Sequence, residues 1–275
     1  MHFSGAAQRL AEAIRFKTVS HPAGEGTDFS EFEAFIAWAE SAWPKVFATL
    51  QFERINGYAM LLRWKGQTDL PGSLYMAHYD VVPASMEDGW QQEPFAGSII
   101  DGLIWGRGSL DCKQNLVSRF EALDRLIAEG YQPQRDIWLA FGHDEEVGGE
   151  EGAAAICEAL RERGIAIRAV FDEGPGIGNG AKYGVDTRVA NVAVAEKGSS
   201  NLEIRVAGAL GHSAMPPAHS AIGQLSRLIT TVEDNPRAPR LTDLVAEEFS
   251  RLAPLMKENQ DVFADLAANW AEALP

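Results

Sequence analysis

Three short apolar runs in this chain each end on ionisable side chains, and amphipathic stretches separate them. LYMA leads into His78 and Asp80, IWLAF into Asp144, Glu145 and Glu146, and AVF into Asp172 and Glu173. Short apolar runs alternating with 3.6-period segments predict βαβ units and an α/β fold, a mainly parallel sheet flanked by helices. Helices are expected over residues 4–16 and 29–42, and a hairpin from TLQFERI and YAMLLRWKG, with Gly57 before the second strand and Gly66 after it. NLVSRFEALDRLIAEGY reads as a helix ended by Gly130, and GAAAICEALRERG as the next. The texture changes near residue 190. RVANVAVAEKGSSNLEIRVAGALGHSAMPP is strand-rich, while SAIGQLSRLITTVEDN and the tail to Pro275 are helical. The expected organisation is therefore a catalytic domain over 1–195 and a smaller α+β domain over 196–275.

Composition narrows the function classes. A formal charge of −15 argues against nucleic acid, which needs a basic face, and against docking on anionic membranes. The acid excess reads as a solvated surface. No run reaches the roughly 18 apolar residues of a membrane span. The opening MHFSGAAQRLAEAIRF has no apolar core of a signal peptide. Cys112 and Cys157 are too few for a disulfide framework. A soluble, cytoplasmic protein is expected.

Asp144, Glu145 and Glu146 stand side by side in FGHDEEVGGEEG. Like charges crowded at the end of an apolar strand must face water or surround something strongly positive. Ligands of open α/β sheets bind at the carboxyl ends of strands, where His78, Asp80, Glu145, Glu146, Asp172 and Glu173 all fall. Asp111 joins them from WGRGSLDCK, just ahead of a helix. His78 and Asp80 are two apart, so a strand puts both on one face, and Asp80 is placed to hold the His78 ring. Imidazole with carboxylates is a donor set for zinc, with cobalt or manganese as substitutes. Glu145 and Glu146 fit as one ligand and one base. Asp172 and Glu173 stay open as alternatives. Cys112 and His143 read as packing residues, and GRGSLDCK lacks the spacing of a phosphate loop.

Four blocks in order, MAHYDVVPA, WGRGSLDCK, GHDEEVGG and FDEG, resemble the di-zinc exopeptidase and amidohydrolase family of aminoacylase, carboxypeptidase S and the glutamate-releasing carboxypeptidases. EKGSSNLEIRV followed by GALGHSAMPP is most similar to the carboxypeptidase S branch, which includes the N-fatty-acyl-amino-acid synthase/hydrolases. The resemblance implies a zinc exopeptidase-like fold with a lid and dimerisation domain, and two zinc ions per subunit. By that resemblance His78 binds one zinc, Asp111 bridges both, and Glu146 binds the other. Glu173 is the ligand in FDEG, with Asp172 the alternative. Asp80 orients His78, and Glu145 is the general base. His212 is the lid histidine that reaches the substrate carbonyl, often across a dimer interface. The implied substrate is a small peptide or an N-acyl amino acid, and the implied partner a second copy through the lid. Family members continue beyond this length to a last zinc histidine, whereas no histidine follows His219. A catalytically impaired metal-binding or dimerising form is the competing expectation.

Overall fold

The computed structural model describes residues 4–198, 200–208, 211–212, 214–215 and 217–273. Contacts divide the chain into two compact units, one ending at Glu173 and one beginning at Gly174. The boundary expected at 195/196 falls inside the second.

The first unit opens with helices α1 (Ser4–Ile14), α2 (Phe29–Ala42) and α3 (Pro44–Thr49). Asp28 starts α2 by accepting the Ser30 N–H at 3.0 Å, which satisfies one of the helix's orphan donors. Strands β1 (Gln51–Ile55) and β2 (Ala59–Trp64) then form the expected hairpin. Asn56 and Gly57, both at positive φ, make its turn. Next come β3 (Gly72–His78), β4 (Ser98–Ile100), β5 (Leu103–Trp105), α4 (Lys113–Ala128), β6 (Ile137–Gly142), α5 (Ala155–Glu162) and β7 (Ile167–Phe171). Strands β4 and β5 form a hairpin beyond the expected elements. Its turn is Asp101–Gly102, again at positive φ.

The central sheet has the order β1-β2-β6-β3-β7. It is mixed: β3 runs parallel to β6 and β7, while β2 is antiparallel to both β1 and β6. Only β2 is reversed. The parallel register sets His78 opposite Gly142, so β3 and β6 end level and their polar tails leave the sheet at the same height. That levelness positions the site.

Both faces of the sheet's centre are covered. On one, Met60, Leu62, Ala77, Leu139 and Phe141 meet Phe32, Phe35, Trp43, Leu116 and Phe120 from α2 to α4. On the other, Leu61, Leu74, Trp138 and Ala140 meet Ile156 and Leu160 of α5. Full burial of a large apolar side chain stabilises by about 1.5–3 kcal/mol, so the aromatic face dominates. Lys113 is buried at the start of α4. Its Nζ donates to the carbonyls of Ala13 at 3.0 Å and Phe16 at 2.7 Å, which ties α4 to the end of α1. Burial pulls its pKa down to about 7. The cover stops short of β7, where Val170 is 56% exposed and Phe171 48%. Phe171 stacks on Tyr75, with centroids 4.9 Å apart.

The second unit holds a hairpin of β8 (Ile177–Asn179) and β9 (Arg188–Ala190), then helices α6 (Ala221–Asp234), α7 (Asp243–Leu252), α8 (Gln260–Ala264) and α9 (Trp270–Ala273). Among its described residues the buried apolar side chains are Val185, Ala253, Met256 and Leu266. Val185 bridges to Met256, and Phe249 stacks on Phe263 at 5.1 Å. The strand-rich reading of the run after residue 190 needs correction. No described residue from 191 to 208 belongs to a strand. Alternation gives a chain the right faces, but ladder hydrogen bonds need a neighbouring strand, and among the described residues none pairs with this run. No described helix is long and apolar enough to cross a membrane.

Candidate metal centre

His78 is the last residue of β3 and is 3% exposed. Its Nδ1 lies 3.0 Å from the Asp80 carbonyl oxygen and 3.3 Å from Asp80 Oδ1. Its Nε2 faces the other way, 2.9 Å from Asp111 Oδ1, 3.5 Å from Glu173 Oε1 and 3.8 Å from Glu145 Oε2. One ring nitrogen is thus anchored and the other is presented to three carboxylates. Burial alone would lower the His78 pKa. Hydrogen bonds to Asp80 and Cys112 override it and push the value up to about 12. Such a site holds positive charge strongly, whether as a proton on His78 or as a cation among the acids.

Asp80 is fully buried and accepts from several directions. Its Oδ1 receives the Glu145 N–H at 3.1 Å, and its Oδ2 receives the Glu146 N–H at 3.1 Å and the Ser20 hydroxyl at 2.7 Å. Burial would raise its pKa, but the bonds from His78 and Ser20 outweigh that and hold it below the usual range. The carboxylate therefore stays charged at neutral pH. It fixes the turn carrying Glu145 and Glu146 against the end of β3. Ser20 was not singled out in the sequence.

Donor atoms of His78, Asp111, Cys112 and Glu173 all lie within 4.8 Å of one another. Cys112 is otherwise engaged: its Sγ accepts the His78 N–H and donates to the His78 carbonyl, both at 3.3 Å. The remaining imidazole and two carboxylates fit a zinc-type cation, and the anchored Nδ1 is the arrangement that ligating histidines require. Of the pair left open, Glu173 is the one in this group, while Asp172 accepts the Glu173 N–H at 2.8 Å. Glu145 stands at its rim. Burial first, then Glu173, Glu146 and Asp80, raise the Glu145 pKa, against the opposing pull of His78. Glu146 falls outside the group. Burial and then Asp111 raise its pKa. His212 lies in the second unit, exposed, with its Nδ1 accepting the Ala214 N–H at 3.2 Å. His143 is buried beside the rings of Phe32 and Tyr58, and burial lowers its pKa. That neutral, enclosed state matches a packing role.

With this geometry in place, comparison with known proteins supplies a context. Residues 74–273 match the model of peptidase family M20/M25/M40. A probable carboxypeptidase S-like 2 of Dictyostelium discoideum is 37% identical over 86% of this chain and 47% of its own length. Carboxypeptidase S of Saccharomyces cerevisiae is 37% identical over 83% of this chain and 41% of its own. The N-fatty-acyl-amino acid synthase/hydrolase PM20D1 of Homo sapiens is 32% identical over 98% and 55%. The chain spans about half the length of these curated relatives. Among solved structures, human carnosine dipeptidase 1 superposes on 63% of this chain and 39% of its own, with TM-score 0.53 and 17% identity. A metallo-carboxypeptidase from Sulfolobus solfataricus gives TM-score 0.51 at 20% identity over 64% and 38%. These two likenesses concern the fold.

Proposed function

The chain belongs to peptidase family M20/M25/M40, and on that premise we propose a metal-dependent hydrolase of amide bonds in small peptides or N-acyl amino acids. The observation that carries this reading is the convergence of His78, Asp111 and Glu173 with Glu145 at their rim. His78, Asp111 and Glu173 would hold one zinc ion. Glu146, with Asp111, would serve a second, as the sequence resemblance implies. A bound zinc would supply Lewis acidity, polarising the amide carbonyl and bringing the pKa of a water toward about 7. Glu145 takes the proton of the attacking water as its oxygen joins the carbonyl carbon. It returns that proton to the nitrogen as the C–N bond breaks, releasing an amine and a carboxylate. A carboxyl with a raised pKa suits both transfers. Asp80 keeps His78 turned and the Glu145 turn in place throughout. The assignment of His212 to the substrate carbonyl, and of a homodimer through the second unit, rests on the sequence resemblance.

Zinc stoichiometry and release of amine from N-acyl amino acids test the reading together. Glu145→Gln is expected to keep the metal and lose about 10²–10⁴-fold in turnover, whereas Glu146→Gln lowers metal content. Equal zinc in both variants would reverse the two glutamates. The second reading, a metal-binding or dimerising protein with little activity, is favoured by Glu146 standing outside the ligand group. A single bound zinc with no turnover would select it.

A further inference from the structure

Residues Thr18 to Ser20 have no part in the proposed chemistry, yet they are stitched to the strand end that carries it. The Val81 N–H donates to the Thr18 carbonyl at 2.9 Å, the Thr18 hydroxyl donates to the Tyr79 carbonyl at 2.5 Å, and Val19 bridges to Val81 in parallel. This short seam delivers Ser20, 6% exposed, to Asp80 Oδ2. Asp80 Oδ2 then has two donors, the Ser20 hydroxyl and the Glu146 N–H, while Oδ1 accepts the Glu145 N–H with His78 Nδ1 3.3 Å away. Donors on both oxygens fix the rotation of the carboxylate about its own axis. Without the hydroxyl, Oδ2 keeps one donor. A buried acceptor short of a partner re-aims toward others. The bonds to the Glu145–Glu146 turn lengthen as a result.

We propose that Ser20 is a positioning residue, which acts through Asp80 to hold the Glu145–Glu146 turn and the His78 ring in register. The proposal rests on the hydrolase reading only for the value of that register to catalysis; the linkage itself is independent of metal and substrate. A merely structural Ser20 would support the whole unit evenly. A positioning Ser20 supports residues 142–147 selectively.

Amide hydrogen exchange of the metal-free protein separates these two roles. Ser20→Ala is expected to raise exchange at the Glu145 and Glu146 amides by about tenfold, the loss of one modest hydrogen bond. Amides of α4 and β2 should hold their rates. Ser20→Thr keeps the hydroxyl and should stay within about threefold of the parent. Asp80→Asn keeps one acceptor oxygen and should free the amide that loses its acceptor, and adding Ser20→Ala to it should add less than the full Ser20→Ala rise, because coupled groups do not add. Zinc affinity, read by chelator competition, should fall about tenfold in Ser20→Ala. Unchanged exchange at Glu145 and Glu146, a uniform rise across the unit, or a full extra rise on top of Asp80→Asn would each overturn the proposal. Absence of zinc binding and turnover in the parent would sink the hydrolase reading while leaving the exchange result to decide the role of Ser20. Should Ser20→Ala destabilise too far to measure, Ser20→Cys, a weaker donor, replaces it with an intermediate rise expected.

Discussion

Helices α4 and α6 carry similar amphipathic patterning, and their fates differ. In α4, Leu116, Val117, Phe120 and Leu123 are all buried against the sheet and α3. In α6 no residue is buried, and Ile222, Leu228, Ile229 and Val232 remain exposed. The period of a sequence decides whether a helix has an apolar face; a facing surface decides whether that face contributes stability. The first unit supplies such surfaces on both sides of β2 and β6. The second supplies a small nucleus at Val185, Ala253, Met256 and Leu266. Ligand geometry follows the same divide, because the ligand group sits at strand ends whose positions the core determines.

The largest effect should come from cutting into the two packings directly. Phe35→Ala removes a fully buried ring stacked on Tyr79 at 4.7 Å and should cost about 3–5 kcal/mol in urea unfolding. Ile229→Ala in α6 should stay within about 1 kcal/mol. Equal costs would mean that α6 is packed in solution and would erase the contrast.

Metal should sharpen it next. A ligand bound only by the folded state, present at a hundred times its dissociation constant, adds about 2.7 kcal/mol. That gain should appear in hydrogen exchange of β6 and be missing from α6 and α7, with a chelator reversing it. Equal protection in both units would show one cooperative body.

The helix caps offer the finest test. Asp28 caps α2 and Ser220 caps α6 by accepting the Gly223 N–H at 3.1 Å. Alanine at either position should cost about 1 kcal/mol of local helix stability. Asp28→Ala should move the global urea midpoint, since α2 is part of the core, while Ser220→Ala should only speed exchange within α6. A global shift from Ser220→Ala would count against the division.

Much of the site was legible because charge follows apolar strand at each junction. His78 and Glu145 end runs of alternating or continuous apolar residues, and Asp111 follows a glycine-rich turn. Parallel register then levels the strand ends, which composition cannot state but βαβ logic predicts. The residue pattern leaves Asp172 and Glu173 open, because strand alternation stops being informative once the strand ends at Phe171; Glu173 comes forward only through the family resemblance. Ser20 was invisible for a different reason. Its partner lies sixty residues away in sequence, and a single bridge at Val19 is too short to print a period. The β4–β5 hairpin did carry its signature, Asp101–Gly102 between apolar residues. The run after residue 190 has the alternation of strands, but its described residues pair with no other strand. Side-chain pattern is local, and pairing is not.

The scatter of the proposed ligands along the chain also sets a timetable. Synthesis runs at about 5–20 residues per second, so roughly 5 to 20 seconds separate the emergence of His78 from that of Glu173, the last member of the group. During that interval Ser20, His78 and Asp80 are already available, and α4 with Asp111 joins before Glu173 does. A nascent chain arrested before residue 173 offers His78 and Asp111 without the other carboxylate of the group, and an incomplete donor set holds zinc poorly. Loading of the proposed metal would therefore follow β7, the last strand of the central sheet to be made. A zinc-responsive reporter on arrested chains of increasing length would register it as a step at Glu173 rather than a gradual rise.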